Sequence, residues 1–257
     1  MNKKGILFKI LFVILVLIGF FPIITLFVVS FSRNMTYPLD FFTLRNYVYF
    51  FQDSSAIRAL RNSFMVAGVT TPIACGLSIA SGYALTRKKF VGKSLFIALV
   101  ILPLILPYII MGTSLMVFLL GNNVKLTLKT VILGHVLIAI PYGTLPIAAR
   151  FAGYDITLEE AAADLGADRK TIFRRITLPI IMPGVIVAAL LGFIISWADY
   201  VMVMFLSGYE VTASFYIYLL LSRGYGITLT AMASIMACFG IGLAIFMRVL
   251  EMRGMID

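Results

Sequence analysis

Charge is what this sequence is short of. Lys, Arg, Asp and Glu together make up 12% of 257 residues, while 61% are apolar; a soluble domain carries about 25% charged residues. That deficit excludes one water-soluble core of this length and points to a bilayer as the solvent. Acid is scarcer than base, 11 against 21, for a net charge of +10. In a soluble protein such an excess suggests nucleic acid, but in a membrane chain the question is where the cations sit. Only two cysteines occur. Cys75 and Cys238 both lie in apolar runs without metal-ligand neighbours and read as small hydrophobes. There is one histidine, His135. No carboxylate pair, no Ser/His/Asp set and no metal cluster can be assembled from spacing, so the chain is expected to have no catalytic residue and no metal site. The tetrapeptide VGKS at 91–94 resembles the end of a phosphate-binding loop. The position that needs its first glycine is Arg87, however, and no strand precedes it.

What the sequence has in abundance is uncharged length. Lys9 to Arg33 encloses 23 residues, Arg61 to Arg87 25, Lys93 to Lys125 31, Lys129 to Arg150 20 and Arg223 to Arg248 24. A further span runs from about Pro183 to Leu206 and contains Asp199. About 20 apolar residues cross hydrocarbon as a helix, and the period-2 alternation of a barrel is missing. The expectation is an all-α integral membrane protein with six transmembrane helices. The first run is too long for a signal-peptide core and lacks a cleavage site, so it is read as a retained anchor over residues 1–30. With both termini inside, 14 of the 21 cations fall on cytoplasmic segments and 7 on outer ones, which predicts cytoplasmic termini.

Residues 31–58 include YPLDFFTLRNYVYFF and suit an outer segment lying at the membrane interface. Residues 59–250 form the core and 251–257 a cytoplasmic tail. In the second span Gly76, Ala80 and Ala84 make one small-residue stripe, with Ser78 and Gly82 beside it, as close helix approach in lipid demands. Pro103 and Pro107 predict a kink in the third span.

The largest cytoplasmic loop, about 150–183, contains EEAAADLGADRKTIFRRITLP. It reads as two short helices. Thr157 and Glu160 suit a capping box, Gly166 a left-handed stop, Asp168 an N-cap, and Pro179 and Pro183 an end before the fifth span. A DNA-reading helix-turn-helix is excluded by geometry, because a loop tethered at both ends to the bilayer could hardly enter a major groove. A passive spacer is the plain alternative.

Glu160-Ala161-Ala162, then Gly166, Ile176 and Leu178-Pro179, match the EAA loop of ATP-binding-cassette importer permeases at every defining position. The chain therefore resembles that family over about residues 55–250. The resemblance implies the type I importer fold in the cytoplasmic membrane of a prokaryote. It also implies that the loop couples to a separate ATPase dimer, which binds the ATP and Mg while this chain binds no cofactor. The further partners implied are a second permease subunit, an extracellular or periplasmic substrate-binding protein and membrane lipid, with no nucleic acid.

Within the fifth span, Trp197, Asp199 and Tyr200 are the candidates for the substrate path, since an ionisable residue is costly in hydrocarbon. A carboxylate at a wet helix end is the plainer reading of Asp199. His135 is either a buried hydrogen-bonding residue between helices or a substrate or proton contact. The run ending Phe205 to Gly208 is similar to the spermidine/putrescine branch of these permeases. It departs from that branch in having Ala198-Asp199 where paired acids are usual. A polyamine is the expected cargo, with thiamine, ferric iron or another small solute next, and an ion-coupled transporter as the competing class.

Overall fold

Helices alone appear among the described residues, as hydrocarbon requires of a chain whose backbone must satisfy itself. The computed structural model describes residues 3–33, 42–224, 226–252 and 254. Residues 34–41 of the aromatic outer segment, and all of 253–257 except Gly254, lie outside them. The order is α1 (Lys3–Ser30), α2 (Arg45–Gln52), α3 (Ser54–Arg87), α4 (Lys93–Ile105), α5 (Tyr108–Gly121) and α6 (Leu128–Gly153). Next come α7 (Thr157–Asp164), α8 (Arg169–Ile172), a π-helical turn (Phe173–Thr177), α9 (Leu178–Ala198), α10 (Val201–Leu206), α11 (Ala213–Ser222) and α12 (Ile227–Met252).

Five helical runs are long and apolar enough to cross a bilayer: Phe8–Ser30, Ser54–Arg87, Leu128–Gly153, Arg169–Ala198 and Thr228–Met252. The α4–α5 pair raises the number to six if it counts as one span. The sequence predicts a kink there, but the two halves are bent by 111°. Pro107 disfavours helical backbone at the residue before it, and Leu106 is accordingly extended at ψ 134°. The fifth span also differs from expectation at both ends. It starts at Arg169 rather than near Pro183, and it breaks after Ala198 instead of running on to Leu206.

The chain forms two compact units. In the unit of Met1–Arg58 and Tyr216–Ile241, Asn46 on α2 donates to the carbonyls of Ser30 (2.9 Å) and Ser32 (2.8 Å). Tyr216 donates its hydroxyl to Asp53 Oδ2 at 2.9 Å, while Asp53 Oδ1 accepts the N–H groups of Ser55 and Ala56 that open α3. Val48 and Phe51 of α2 stay exposed.

In the unit of Ala59–Phe215 and Gly242–Asp257, α6 is gripped between α3 and α9. A Cβ on Gly143 would meet Ser78 of α3 and Ala188 of α9, and one on Gly82 would lie 3.2 Å from the backbone nitrogen of Ala148. Ser78 donates to the carbonyl of Ile140 at 3.0 Å. The close approach on α3 therefore uses Ser78 and Gly82. Gly76 and Ala80 of the neighbouring stripe are exposed, and Gly76 has nothing within 4 Å of a Cβ.

From Thr177 at the end of the π-helical turn along α9, the buried residues Thr177, Ile181, Gly184, Ala188, Gly192 and Ser196 recur every three or four positions and form one face. At Gly184 a Cβ would stand 2.9 Å from the carbonyl oxygen of Pro146 and 3.2 Å from Ile147 Cα, both backbone atoms that cannot step aside alone. Gly184→Val should consequently destabilise the protein by about 1–3 kcal/mol, the usual scale of overpacking. Gly76→Ala should leave stability unchanged. Thermal unfolding of the detergent-solubilised protein, followed by size exclusion, checks both.

Candidate functional site

The loop that follows α6 is held at its entry by Arg87, the last residue of α3. Its Nη2 donates to the carbonyl of Tyr154 at 2.8 Å, and its guanidinium lies 4.5 Å from the centroid of the Tyr154 ring. One residue on, Asp155 Oδ1 accepts the N–H of Thr157 at 3.0 Å. This corrects the expected capping box. Asp155 reaches the orphan donor of α7 from outside the helix, and Thr157 becomes its first residue rather than its cap.

The stop is a Schellman motif. Gly166 has φ +86°, its N–H donates to the carbonyl of Ala163 at 2.9 Å, and the N–H of Ala167 donates to the carbonyl of Ala162 at 3.0 Å. Two of the predicted loop residues, Ala162 and Gly166, thus meet in one turn. Asp168 caps α8 through the N–H of Thr171 at 3.2 Å.

Pro179 and Pro183 do not end the helix. Arg169–Ala198 is one continuous helical run, because the π-helical turn Phe173–Thr177 precedes Pro179 and loosens the ladder where the proline lacks an N–H. Ile176 and Leu178 flank Thr177 at this junction and are both partly buried, whereas Glu160, Ala161 and Ala162 are largely on the surface of α7. Between α3 and this loop lies a cavity of about 560 Å³ whose walls include Ile79, Tyr83, Phe151, Glu160 and Phe173.

The second constellation surrounds the break in the fifth span. Asp199 is only 7% exposed. Its Oδ2 accepts the N–H of Met202 at 2.9 Å, capping α10, and lies 3.2 Å from Nε2 of His135 on α6. The other ring nitrogen of His135 is 2.8 Å from Ser196 Oγ, and the carbonyl of Asp199 accepts from Ser214 Oγ at 2.6 Å. Asp199 is therefore a helix-end residue, and a largely buried one. Trp197 is buried and packs against Phe64 (ring centroids 4.7 Å), while Tyr200 is 39% exposed. Tyr108, Ile195, Asp199 and Tyr200 line a cavity of about 390 Å³, to one side of which the hydroxyls of Tyr108 and Tyr142 stand 3.4 Å apart. Among the described residues no group of three His, Cys, Asp or Glu is placed to hold a metal.

Sequence reasoning took His135 and Asp199 separately and missed Ser196, Asp155 and Arg87. The pairing of His135 with Asp199 spans 64 residues and leaves no local pattern. Asp155 had a signal, since an Asp two residues before a helix start is a standard cap.

Residues 73–254 match the family described as binding-protein-dependent transport system inner membrane component. The chain is 32% identical to the spermidine/putrescine transport system permease protein PotC of Haemophilus influenzae over 188 residues, 72% of this chain and 73% of that one. It is 33% identical to the molybdate/tungstate transport system permease protein WtpB of Pyrococcus abyssi over 146 residues, 57% of each. Its fold is similar to that of a bacterial ABC transporter involved in the import of the acidic polysaccharide alginate, with TM-score 0.69, 20% identity and 98% of both chains covered.

Both loop caps titrate outside the membrane. The N–H of Thr157 holds the Asp155 carboxyl below the ordinary aspartate range, and hydrogen bonding with Thr171, side chain before backbone, does the same for Asp168. A lowered folded pKa means that each contribution is complete above the ordinary value and is lost only as pH falls through the lowered one. Amide protection at Thr157 and Thr171, corrected for intrinsic exchange, should hold level from neutral pH to roughly pH 4 and fall below it. Asp155→Ala and Asp168→Ala should each lose the corresponding protection at every pH, as read by hydrogen exchange with mass spectrometry.

Proposed function

The chain belongs to the family of binding-protein-dependent transport system inner membrane components, and from that premise we propose that its cargo is a polyamine of the spermidine/putrescine class. The protein is a multi-pass permease subunit of an ABC importer in the cytoplasmic membrane of a prokaryote, a transport component and not an enzyme. The observation that carries the cargo reading is the cavity at the break in the fifth span. An anionic side chain and two tyrosine rings border it, and no lysine or arginine stands among its described lining residues.

A polyamine must shed water from its ammonium groups on the way through. The Asp199 carboxylate, with the rings of Tyr108 and Tyr200 beside it, would offset part of that cost by charge and by cation–π attraction. The same lining suits an oxyanion such as molybdate poorly, because a carboxylate would repel it. The relationship to the Haemophilus influenzae permease supports the polyamine reading as well.

Energy comes from outside this chain. The expected assembly contains an ATPase dimer that binds ATP and Mg, a second permease subunit, and a binding protein that delivers cargo from the outer side. Glu160, Ala161, Ala162 and Gly166 form the helix and turn presented to the ATPase, and Ile176, Leu178 and Pro179 lie on the first turns of the fifth span.

The test is ATP-dependent uptake of labelled spermidine by the complete complex in proteoliposomes. Asp199→Asn preserves an oxygen for the Met202 N–H and removes the charge. It should lower uptake by about tenfold or more, the scale expected when a desolvated charge pair is broken, while complex abundance and basal ATP hydrolysis stay near wild type. A wild-type complex that hydrolyses ATP on addition of its loaded binding protein but takes up neither spermidine nor putrescine overturns the cargo. Thiamine and ferric iron are then the next candidates.

A further inference from the structure

One hydrogen bond inside the loop lies outside the defining motif positions. Thr177 Oγ1 donates to Glu159 Oε1 at 2.9 Å. Glu159 is on α7, and Thr177 closes the π-helical turn at the foot of the fifth span. Thr177 is 3% exposed and Glu159 is half-buried. A hydroxyl donating to a carboxylate in such a place is a charge-assisted bond, roughly twice as strong as a neutral one, and leaving the acceptor unmet there is costly.

The helix geometry around Thr177 is built to present it. The buried face of α9 steps by three or four residues from Thr177 to Ser196, but the preceding buried residue, Ile172, is five positions back. In a regular α-helix a five-residue step turns the side chain by about 140° away from the face it left. The π-helical turn Phe173–Thr177 takes up the extra residue, so Ile172 and Thr177 are both buried. Without it, either Ile172 would leave the cavity wall or Thr177 would leave Glu159.

We infer that Glu159 and Thr177 form a latch that makes the α7 coupling helix and the fifth span move as one body. Otherwise α7 is joined to α8 by a short turn centred on Gly166, a hinge that would let the helix yield under load. With the latch closed, a push on α7 reaches Thr177 by a second route, and Thr177 begins the face that packs on α6. Both are positioning residues. The inference rests on the loop being the surface that meets the ATPase.

The test uses the complete importer, with its ATPase, second permease and binding protein, reconstituted in proteoliposomes. The reading is cargo moved per ATP hydrolysed, together with complex abundance. Thr177→Val and Glu159→Ala should each lower cargo per ATP by about tenfold, the scale of one charge-assisted hydrogen bond. Thr177→Ser and Glu159→Gln keep a donor and an acceptor and should transport near wild type. The double variant Glu159→Ala with Thr177→Val should be no worse than either single one, as two halves of one contact require. Glu159→Ala carries the test alone if Thr177→Val does not assemble.

Wild-type cargo per ATP in Glu159→Ala, or losses that multiply in the double variant, overturns the latch. A transport-competent Ala161→Cys complex in which this loop does not crosslink to the ATPase overturns the coupling role itself and is distinguishable from failure of the latch.

Discussion

A backbone that breaks at the end of an apolar span must find partners for the groups it releases, and this constraint governs the fifth span. Helix α9 ends at Ala198 and α10 begins at Val201. At the gap, the Asp199 side chain takes the Met202 N–H and its carbonyl takes the Ser214 hydroxyl. The carboxylate needs company in turn, and His135 supplies it from α6, with Ser196 on the other ring nitrogen. The break, the acid and the only histidine are one solution to one problem. The cavity beside Asp199 exists because the helix is interrupted there, so the structural cost and the proposed cargo contact share a cause.

Further along the fifth span the same α9 face is used differently. Gly184 and Ala188 bring α9 against α6, and Gly143 lets α6 meet α3 and α9 together. Small residues where backbones touch leave little room for the three helices to slide independently. Rigidity in the spans and a short capped helix pair in the loop are complementary properties for the proposed coupling element. The soft point between them is the turn at Gly166, whose left-handed backbone belongs to a single glycine.

Much of this was legible beforehand because it depends on local chemistry. Uncharged length located the spans, Gly166 the stop, Asp168 a cap, and the cost of burying charge drew attention to Asp199. The failures share an origin in tertiary context. Pro179 looks like a terminator until a π-helical turn accommodates it, and that turn exists where Thr177 is buried against α7. Thr157 and Glu160 fit a capping template as well as Asp155 does; competition for the same donors is settled by the path of the chain out of α6, which Arg87 fixes through Tyr154. The Gly76 stripe and the Ser78 stripe carry equally small residues, and only the position of α6 chooses between them.

The unbroken run from Arg169 to Ala198 has 30 residues, so it measures about 45 Å along its axis. Hydrocarbon takes up only about 30 Å of that, leaving about 15 Å of the same rod for the headgroup layers. A rod of this kind is a lever whose fulcrum lies in the bilayer. A rocking of about 10° around mid-membrane would sweep its inner end through roughly 5 Å, close to one helical turn. Modest displacements at the cytoplasmic surface are in this way geared to small rotations at the depth of Asp199.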